Sequence, residues 1–124
     1  MLCTALVTSC IGGAEPIQLS ETELEFGPEG GTVAITSNVT CSVYSITDKN
    51  GESYTYEYNI IAGEQRRKSN ILEGNGLSTN DEGGGKKFFI NVSPSSEKNE
   101  WSVHIFAGNS GNPDIKVTQA AISK

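Results

Sequence analysis

The segment "LEFGPEGGTVAITSNVTCSVYSI", Leu24 to Ile46, contains two runs of alternating apolar and polar residues joined by a glycine-rich turn. In the second run Val33 and Ile35 fall on one side of an extended chain, because successive side chains of a strand point to opposite faces. This period of two predicts strands with one buried and one solvated face. The turn "GPEGG" combines proline, which fixes φ, with glycines, which tolerate positive φ.

The same pattern recurs in "SYTYEYNII", "KKFFINV", "EWSVHIFA" and "DIKVTQA". Asn50-Gly51 precedes the first of these runs and is a typical sequence of a tight hairpin turn. No segment shows a sustained helical period with caps. The pattern therefore predicts an all-β fold, an antiparallel sandwich or barrel of about seven or eight strands. The residues expected in its core are Leu24, Phe26, Val33, Ile35, Val39, Cys41, Val43, Phe88, Ile90, Val92, Trp101, Val103, Ile105, Ile115 and Val117.

Length and charge restrict the possible functions. The 124 residues fit one domain, and 35% of them are hydrophobic. Fifteen acidic residues outnumber nine basic ones, which gives a net charge of −6. A negative surface repels phosphate backbones, so no nucleic-acid partner is expected. The one basic cluster, "QRRK" at Gln65 to Lys68, is interpreted as a solvated loop.

The N-terminal run "MLCTALVTSC" is apolar and built largely of small residues. Val7-Thr8-Ser9-Cys10 resembles a bacterial lipobox, in which small residues precede a cysteine that is acylated after cleavage. The run is too short for a membrane span and lacks a basic start, so we expect the natural start upstream, or a trimmed sequence. Acylated Cys10 would make a lipid anchor the only membrane contact, with residues 1–16 as signal remnant and tether. The alternative is an arbitrary apolar N-terminus.

Two longer stretches resemble the BACON domain family (Bacteroidetes-associated carbohydrate-binding, often N-terminal). "LSETELEFGPEGGTVAITSNVTCSV" is similar to the family's opening, which has an L-x-F strand, a Gly-Gly-Thr turn and a strand ending in Ser-Asn. "FFINVSPSSEKNEWSVHIFAGNSGNPDIKVTQA" resembles the closing strands, which finish in Val-Thr-Gln. The resemblance implies an immunoglobulin-like antiparallel β-sandwich on a secreted or surface protein of the Bacteroidota type. It also implies an association with carbohydrate.

The chain departs from this family pattern at two places. The family often has tryptophan where Cys41 stands, and residues 48–75 have no obvious counterpart. We expect this segment to form an inserted hairpin with its loop. The predicted organisation is a BACON-like domain at residues 17–124, preceded by the segment 1–16.

Aromatic residues are the best candidates for ligand binding. Tyr54, Tyr56 and Tyr58 recur at a period of two and would share one strand face, where they could form a platform for sugar rings. The alternative is that they face inward, because the intervening positions are polar. Phe89 and Phe106 lie opposite the apolar set of their own strands and are expected to point outward. The sequence does not tell whether their strands share a sheet.

Catalysis and metal binding have little support in the sequence. His104 is the only histidine and is expected at the surface, and Cys41 is expected to be a small buried apolar residue. "DKNGE", Asp48 to Glu52, has oxygen-bearing side chains at alternate positions, but its glycine is the fourth residue and not the sixth, as a calcium loop requires. A hairpin turn is the preferred interpretation. We expect no cofactor, no metal and no enzymatic activity.

Two functions therefore stay open. The first is a non-catalytic, lipid-anchored module of the cell envelope that binds a polysaccharide or glycoprotein. The second is a structural or protein-interaction domain, such as an accessory subunit or spacer of an envelope complex, without affinity for sugar.

Overall fold

The computed structural model describes residues 15–81 and 85–122, and within these ranges it contains ten β-strands and no α-helix. The strands are β1 (Glu23–Phe26), β2 (Gly31–Asp48), β3 (Ser53–Tyr54), β4 (Tyr58–Ile61), β5 (Glu64–Arg67), β6 (Ile71–Gly74), β7 (Leu77–Asn80), β8 (Gly85–Val92), β9 (Asn99–Phe106) and β10 (Asp114–Gln119). A short 3₁₀ turn spans Gly108–Ser110. None of the described residues form a helix suited to crossing a membrane. The all-β prediction is confirmed.

The long strand β2 joins the two halves of the fold. Residues 31–36 pair with β8, and residues 42–48 pair with β9. The strands follow the order β1-β10-β9-β2-β8-β7-β6, with β3 added to β2, while β4 and β5 form a separate two-stranded sheet. Because β2 pairs within both halves of the fold, the two halves can stack on one another while the backbone hydrogen bonds of β2 stay satisfied.

The transfer of β2 between the two halves has a local cause. The hydroxyl of Ser37 donates to the carbonyl of Val39 at 2.6 Å and accepts from its N–H at 3.1 Å. These bonds replace ladder hydrogen bonds, and the register with β8 shifts between Thr36 and Cys41. Such a shift interrupts the alternation of buried and exposed side chains along β2, so Val39 is only half-buried.

The two halves pack face to face. The indole Nε1 of Trp101 in β9 donates to the carbonyl of Asn75, 3.3 Å away, beyond the end of β6. A Cβ atom at Gly74 would lie 2.9 Å from the Cγ2 atom of Ile46 and from the ring of Tyr54. Glycine is therefore required where β6 approaches β2 and β3.

The predicted core agrees closely with the observed one. The expected residues are buried except Phe26, Val33 and Val39, which are half-buried. The structure adds further buried apolar side chains: Ile46, Leu72 and Leu77, together with Tyr56, for which alternation had left an inward direction open.

Two features differ from the expected antiparallel pattern with one inserted hairpin. Strand β1 runs parallel to β10, because the turn after β1 sends the chain into the other half of the fold. Residues 48–75 form more than one hairpin: β3 pairs with the end of β2, β4 pairs with β5, and β6 pairs with β7. The run "SYTYEYNII" is not one returning strand, since residues 55–57 lie outside any strand.

Candidate functional site

Three exposed aromatic rings meet in one open groove, which we call the aromatic groove. Tyr44, Tyr58 and Phe106 are 46%, 49% and 53% exposed, and they line the groove together with Ser42, Val43, Tyr56 and Arg67. Its volume is about 450 Å³, within the range of small-molecule sites. Large apolar rings exposed side by side on a small protein are typical of a binding surface.

A β-bulge in β2 places Tyr44 at the groove. Val43 pairs with Ile105 and Ser45 pairs with His104, so Tyr44 is the extra residue between them. Bulges re-aim side chains and are frequent beside functional sites. Tyr44 consequently faces outward, with its ring centroid 6.0 Å from that of His104.

The β4–β5 hairpin supplies Tyr58 to the same groove. Tyr58 is paired with Arg67 across the hairpin. The connecting residues Ala62 and Gly63 have φ values of 52° and 82°. Positive φ at both central residues is the signature of a type I′ turn, whose twist matches that of the paired strands.

A buried ion pair fastens this hairpin to the sandwich. Asp81 is 1% exposed, and its Oδ2 atom accepts from the N–H of Val43 at 2.7 Å. The Nη1 atom of Arg67 lies 3.6 Å from the same Oδ2, and Nη2 donates to the Asp81 carbonyl at 2.7 Å. Val43 belongs to β2 and Arg67 to β5, so Asp81 connects the hairpin to the strand that carries Tyr44.

Tyr56 forms the floor of the groove. The guanidinium carbon of Arg67 lies 4.3 Å from the centroid of the Tyr56 ring, a cation–π distance. Tyr56 is only 7% exposed, and burial raises the pKa of its hydroxyl. Stacking and ion pairing hold Arg67 in one orientation. A guanidinium has five N–H donors, more than the contacts with Asp81 and Asn70 engage within the described residues.

These groups can bind a ligand that has both apolar faces and hydroxyl groups. Ring planes accept flat apolar surfaces, and tyrosine hydroxyls donate and accept hydrogen bonds at the rim. Ser42 and Arg67 add a hydroxyl and N–H donors beside the rings. Rigid aromatic rings also lose little conformational entropy on binding.

The structure brings together some of the predicted site residues and separates others. Tyr56, Tyr58 and Phe106 line the aromatic groove. Tyr54 lies elsewhere, and its hydroxyl donates to Asp48 Oδ2 at 2.9 Å. The expected stripe of three tyrosines does not form, because the chain leaves the strand after Tyr54. Phe89 points outward as expected, but it is on β8 in the other half, with Lys87 Nζ 5.3 Å from its ring centroid.

Sequence reasoning missed Tyr44 and Arg67. The apolar residues Val43 and Ile46 are three positions apart, a spacing that breaks strict alternation and could have indicated the bulge. Arg67 lies in the cluster that was interpreted as a solvated loop, and this interpretation is wrong for Arg67, since residues 64–67 form β5 and Arg67 pairs with buried Asp81.

A second concavity, of about 390 Å³, has a lining different from that of the aromatic groove. It is lined by mostly polar residues of loops and strand ends, among them Lys49, Asn75, Asn99 and Gln119. The Gln119 side chain is 1% exposed, and it donates to the carbonyls of Gly27 and Ser93. These bonds brace the loops, and none of the lining residues in the described part of the chain is aromatic. The aromatic groove is the better candidate.

His104 belongs to a polar chain on the outer face of β9. Its Nδ1 atom lies 2.7 Å from Asp114 Oδ1, and its Nε2 atom lies 2.9 Å from Thr47 Oγ1. The side chain is partly exposed, as expected for a surface histidine. In residues 15–81 and 85–122, no three His, Cys, Asp or Glu side chains come together as metal ligands would. Cys41 is buried, and burial raises the pKa of its thiol.

The Asp48–Glu52 segment is a turn organised by its first residue. Asp48 Oδ1 accepts from the N–H groups of Asn50 and Glu52, at 2.9 and 3.0 Å. Its Oδ2 atom accepts from the Tyr54 hydroxyl and from Asn75 Nδ2. The carboxylate of Asp48, the first of the oxygen-bearing side chains that suggested a calcium loop, is therefore used by the turn itself.

Stability should fall in acid partly through Asp48. Burial acts to raise the pKa of Asp48, but the hydrogen bonds from Tyr54, the backbone and Asn75 outweigh it, so the pKa lies below its ordinary value. A carboxyl group whose pKa is lower in the folded than in the unfolded chain stabilises the fold at pH values above its unfolded-chain pKa, about 3.9. This contribution is lost as pH falls through the pKa of the folded state. We expect the stability difference between wild type and Asp48→Asn to shrink below about pH 4. Thermal unfolding at a series of pH values measures it, and a constant difference would contradict the prediction.

Comparison with known proteins supports the fold and goes no further. No protein-family model matches the chain, and no curated protein matches it in sequence. A Bacteroides thetaiotaomicron protein solved by NMR is similar in structure, with a TM-score of 0.63 and 17% identity over 95% of this chain and 98% of that one. A Bacteroides ovatus GH5 xyloglucanase, solved with a XXXG heptasaccharide, has a TM-score of 0.51 and 14% identity over 86% of this chain and 19% of that one. At such identities the likeness shows a shared fold, and the BACON resemblance stays a prediction.

Proposed function

We propose that this protein is a non-catalytic module that binds carbohydrate in the aromatic groove. The observation that carries the proposal is the convergence of Tyr44, Tyr58 and Phe106 on one open groove above a fixed arginine. A sugar ring has an apolar face of C–H groups and a rim of hydroxyls, which matches rings flanked by hydroxyl and N–H donors.

The groove is organised before any ligand arrives. Asp81 fixes Arg67, Arg67 stacks on Tyr56, and the paired strands hold Tyr58 and Tyr44. Groups already held in their binding positions lose less entropy on association. An open groove on a rigid sandwich would therefore bind part of a longer polysaccharide or glycoprotein glycan without a closing loop.

The proposed location is the cell envelope, with the protein held by a lipid anchor. Its support is the lipobox-like Val7-Thr8-Ser9-Cys10 and the resemblance to BACON domains. Cys10 lies outside the described residues. Mass spectrometry of the mature protein tests this part: an acylated N-terminal Cys10 is expected, and an unmodified Cys10 in an otherwise intact chain would contradict it.

A matched pair of phenylalanine substitutions tests the site. Phe106 and Phe89 are both exposed phenylalanines on outer strand faces, but only Phe106 lines the groove. Phe106→Ala should weaken glycan binding about tenfold, because one stacked ring contributes about 1 to 1.5 kcal/mol. Phe89→Ala should bind like wild type. Calorimetry against polysaccharides found on a glycan array measures both.

The control for this pair is the folded state, which circular dichroism and thermal unfolding should show to be retained in both variants. Equal binding by the two folded variants would place any sugar site elsewhere. Absence of binding by wild type across the array, at millimolar glycan, would remove the proposed function.

The alternative function is protein interaction, and the tip of the β4–β5 hairpin favours it. Ile60 and Ile61 are 75% and 55% exposed there, beside the turn at Ala62. Exposed isoleucines at a hairpin tip are typical of a contact surface. Under this alternative wild type binds no glycan, and a double Ile60→Ser, Ile61→Ser variant should stay folded but lose an envelope partner captured by wild type. Identical capture by both proteins would exclude the tip as the contact.

A further inference from the structure

We propose that the aromatic groove selects neutral, hydroxyl-rich polysaccharides over acidic ones. This inference rests on the proposed function and concerns the same groove.

Among the described residues that line the groove, Arg67 is the one charged side chain. Its guanidinium is paired with Asp81, at 3.6 Å from Nη1 to Oδ2. Asp81 is almost fully buried, so solvent screens the pair weakly, and the floor of the groove carries no net charge. Arg67 therefore offers N–H donors to a ligand hydroxyl without offering an unbalanced positive charge to a carboxylate.

An acidic sugar would also meet unfavourable surroundings. A ligand carboxylate placed over Arg67 would approach the buried carboxylate of Asp81, which already shares the guanidinium. The faces of Tyr44, Tyr58 and Phe106 carry the negative pole of the aromatic quadrupole and repel an anion placed above them. The ring centroid of His104 is 6.0 Å from that of Tyr44, and the His104 side chain is itself bonded to Asp114. Desolvating a carboxylate costs more than desolvating a hydroxyl, and the donors of the groove add no unbalanced positive charge that would offset the difference.

The test compares polysaccharides that share a backbone and differ in charge. Suitable pairs are methyl-esterified and free polygalacturonate, mannan and polymannuronate, and hydroxyethyl and carboxymethyl cellulose. Binding is measured at about 0.5 M NaCl, where the Debye length is about 4 Å and repulsion by the protein's overall charge of −6 is largely screened. We expect the neutral member of the best-binding pair to bind about tenfold more tightly.

A second variant tests the cause of the preference. Asp81→Asn keeps a carbonyl acceptor for Val43 N–H but leaves the charge of Arg67 unbalanced, so affinity for the acidic member should rise relative to the neutral one. If Asp81→Asn does not fold, the salt response of wild type replaces it: affinity for the acidic member should not fall between about 0.05 and 0.5 M NaCl, because salt would weaken this binding only if Arg67 offered an unbalanced positive charge. A fall in that affinity would overturn the proposed cause.

The failures of the two proposals are distinguishable. Tighter binding of an acidic polysaccharide that Phe106→Ala weakens about tenfold would overturn the selectivity and leave the groove as the site. Binding of no member of any pair, or binding unaffected by Phe106→Ala, would overturn the proposed function and the selectivity with it.

Discussion

Replacing Asp81 with alanine is expected to lower the free energy of unfolding by about 3 to 5 kcal/mol, the cost of removing one partner from a buried ion pair. The carboxylate accepts from the N–H of Val43 and pairs with Arg67, whose side chain is 17% exposed. Its loss leaves a backbone donor and a guanidinium without their partner in a largely dehydrated place. Urea unfolding followed by tryptophan fluorescence measures the change.

The matched control is Glu97→Ala. Glu97 also belongs to an ion pair, 3.7 Å from Lys49 Nζ, but its side chain is 77% exposed. Exposed pairs contribute about 0 to 1 kcal/mol, so this variant should unfold almost like wild type. If Asp81→Ala cost no more than Glu97→Ala, the buried pair would not fasten the hairpin, and the account of how Tyr58 reaches the groove would be wrong.

Gly30→Ala is the second substitution with a large expected effect. Gly30 has a φ of +74°, and an added Cβ atom would lie 2.1 Å from the carbonyl oxygen of Val92. The left-handed conformation costs about 1 to 2 kcal/mol for a residue with a side chain. Overlap with backbone adds about 1 to 3 kcal/mol, because β8 must shift. We expect a total loss of about 3 kcal/mol or more in chemical denaturation.

Gly51→Ala separates the two contributions to this loss. Gly51 has a similar φ, +82°, but nothing lies within 4 Å of an added Cβ atom. It should therefore lose only the conformational part, about 1 kcal/mol. Equal losses at the two glycines would contradict the close approach of the turn after β1 to β8.

The sequence predicted the strands and core well because the buried face follows a simple period. Val103 and Ile105 are fully buried, and Phe106 points outward, as their alternation indicates. Alternation failed where the backbone is irregular. Val39 follows the turn at Ser37, whose local hydrogen bonds determine the direction of the Val39 side chain. Tyr44 occupies a bulge, where the shift in register turns its side chain outward.

The site was harder to predict than the core because it depends on contacts distant in sequence. Alternation along each strand is enough to predict that Phe106 and Phe89 point outward. Only the strand order shows that they lie in different halves of the fold. Arg67 and Asp81 are 14 residues apart, and their pairing depends on how the inserted segment folds back. Tyr54 was assigned to the same face as Tyr58 on the assumption of one continuous strand, which the structure does not contain.

The central claim is that Tyr44, Tyr58 and Phe106 form one carbohydrate-binding surface. The most direct measurement is a titration of the protein with its best array glycan, followed by aromatic carbon–proton NMR correlation spectra. We predict that the ring resonances of these three residues shift together with one affinity, while those of Phe89 and Trp101 stay in place. Saturable shifts at Phe89 or around the Asn75 and Asn99 pocket, with the groove rings unchanged, would contradict it.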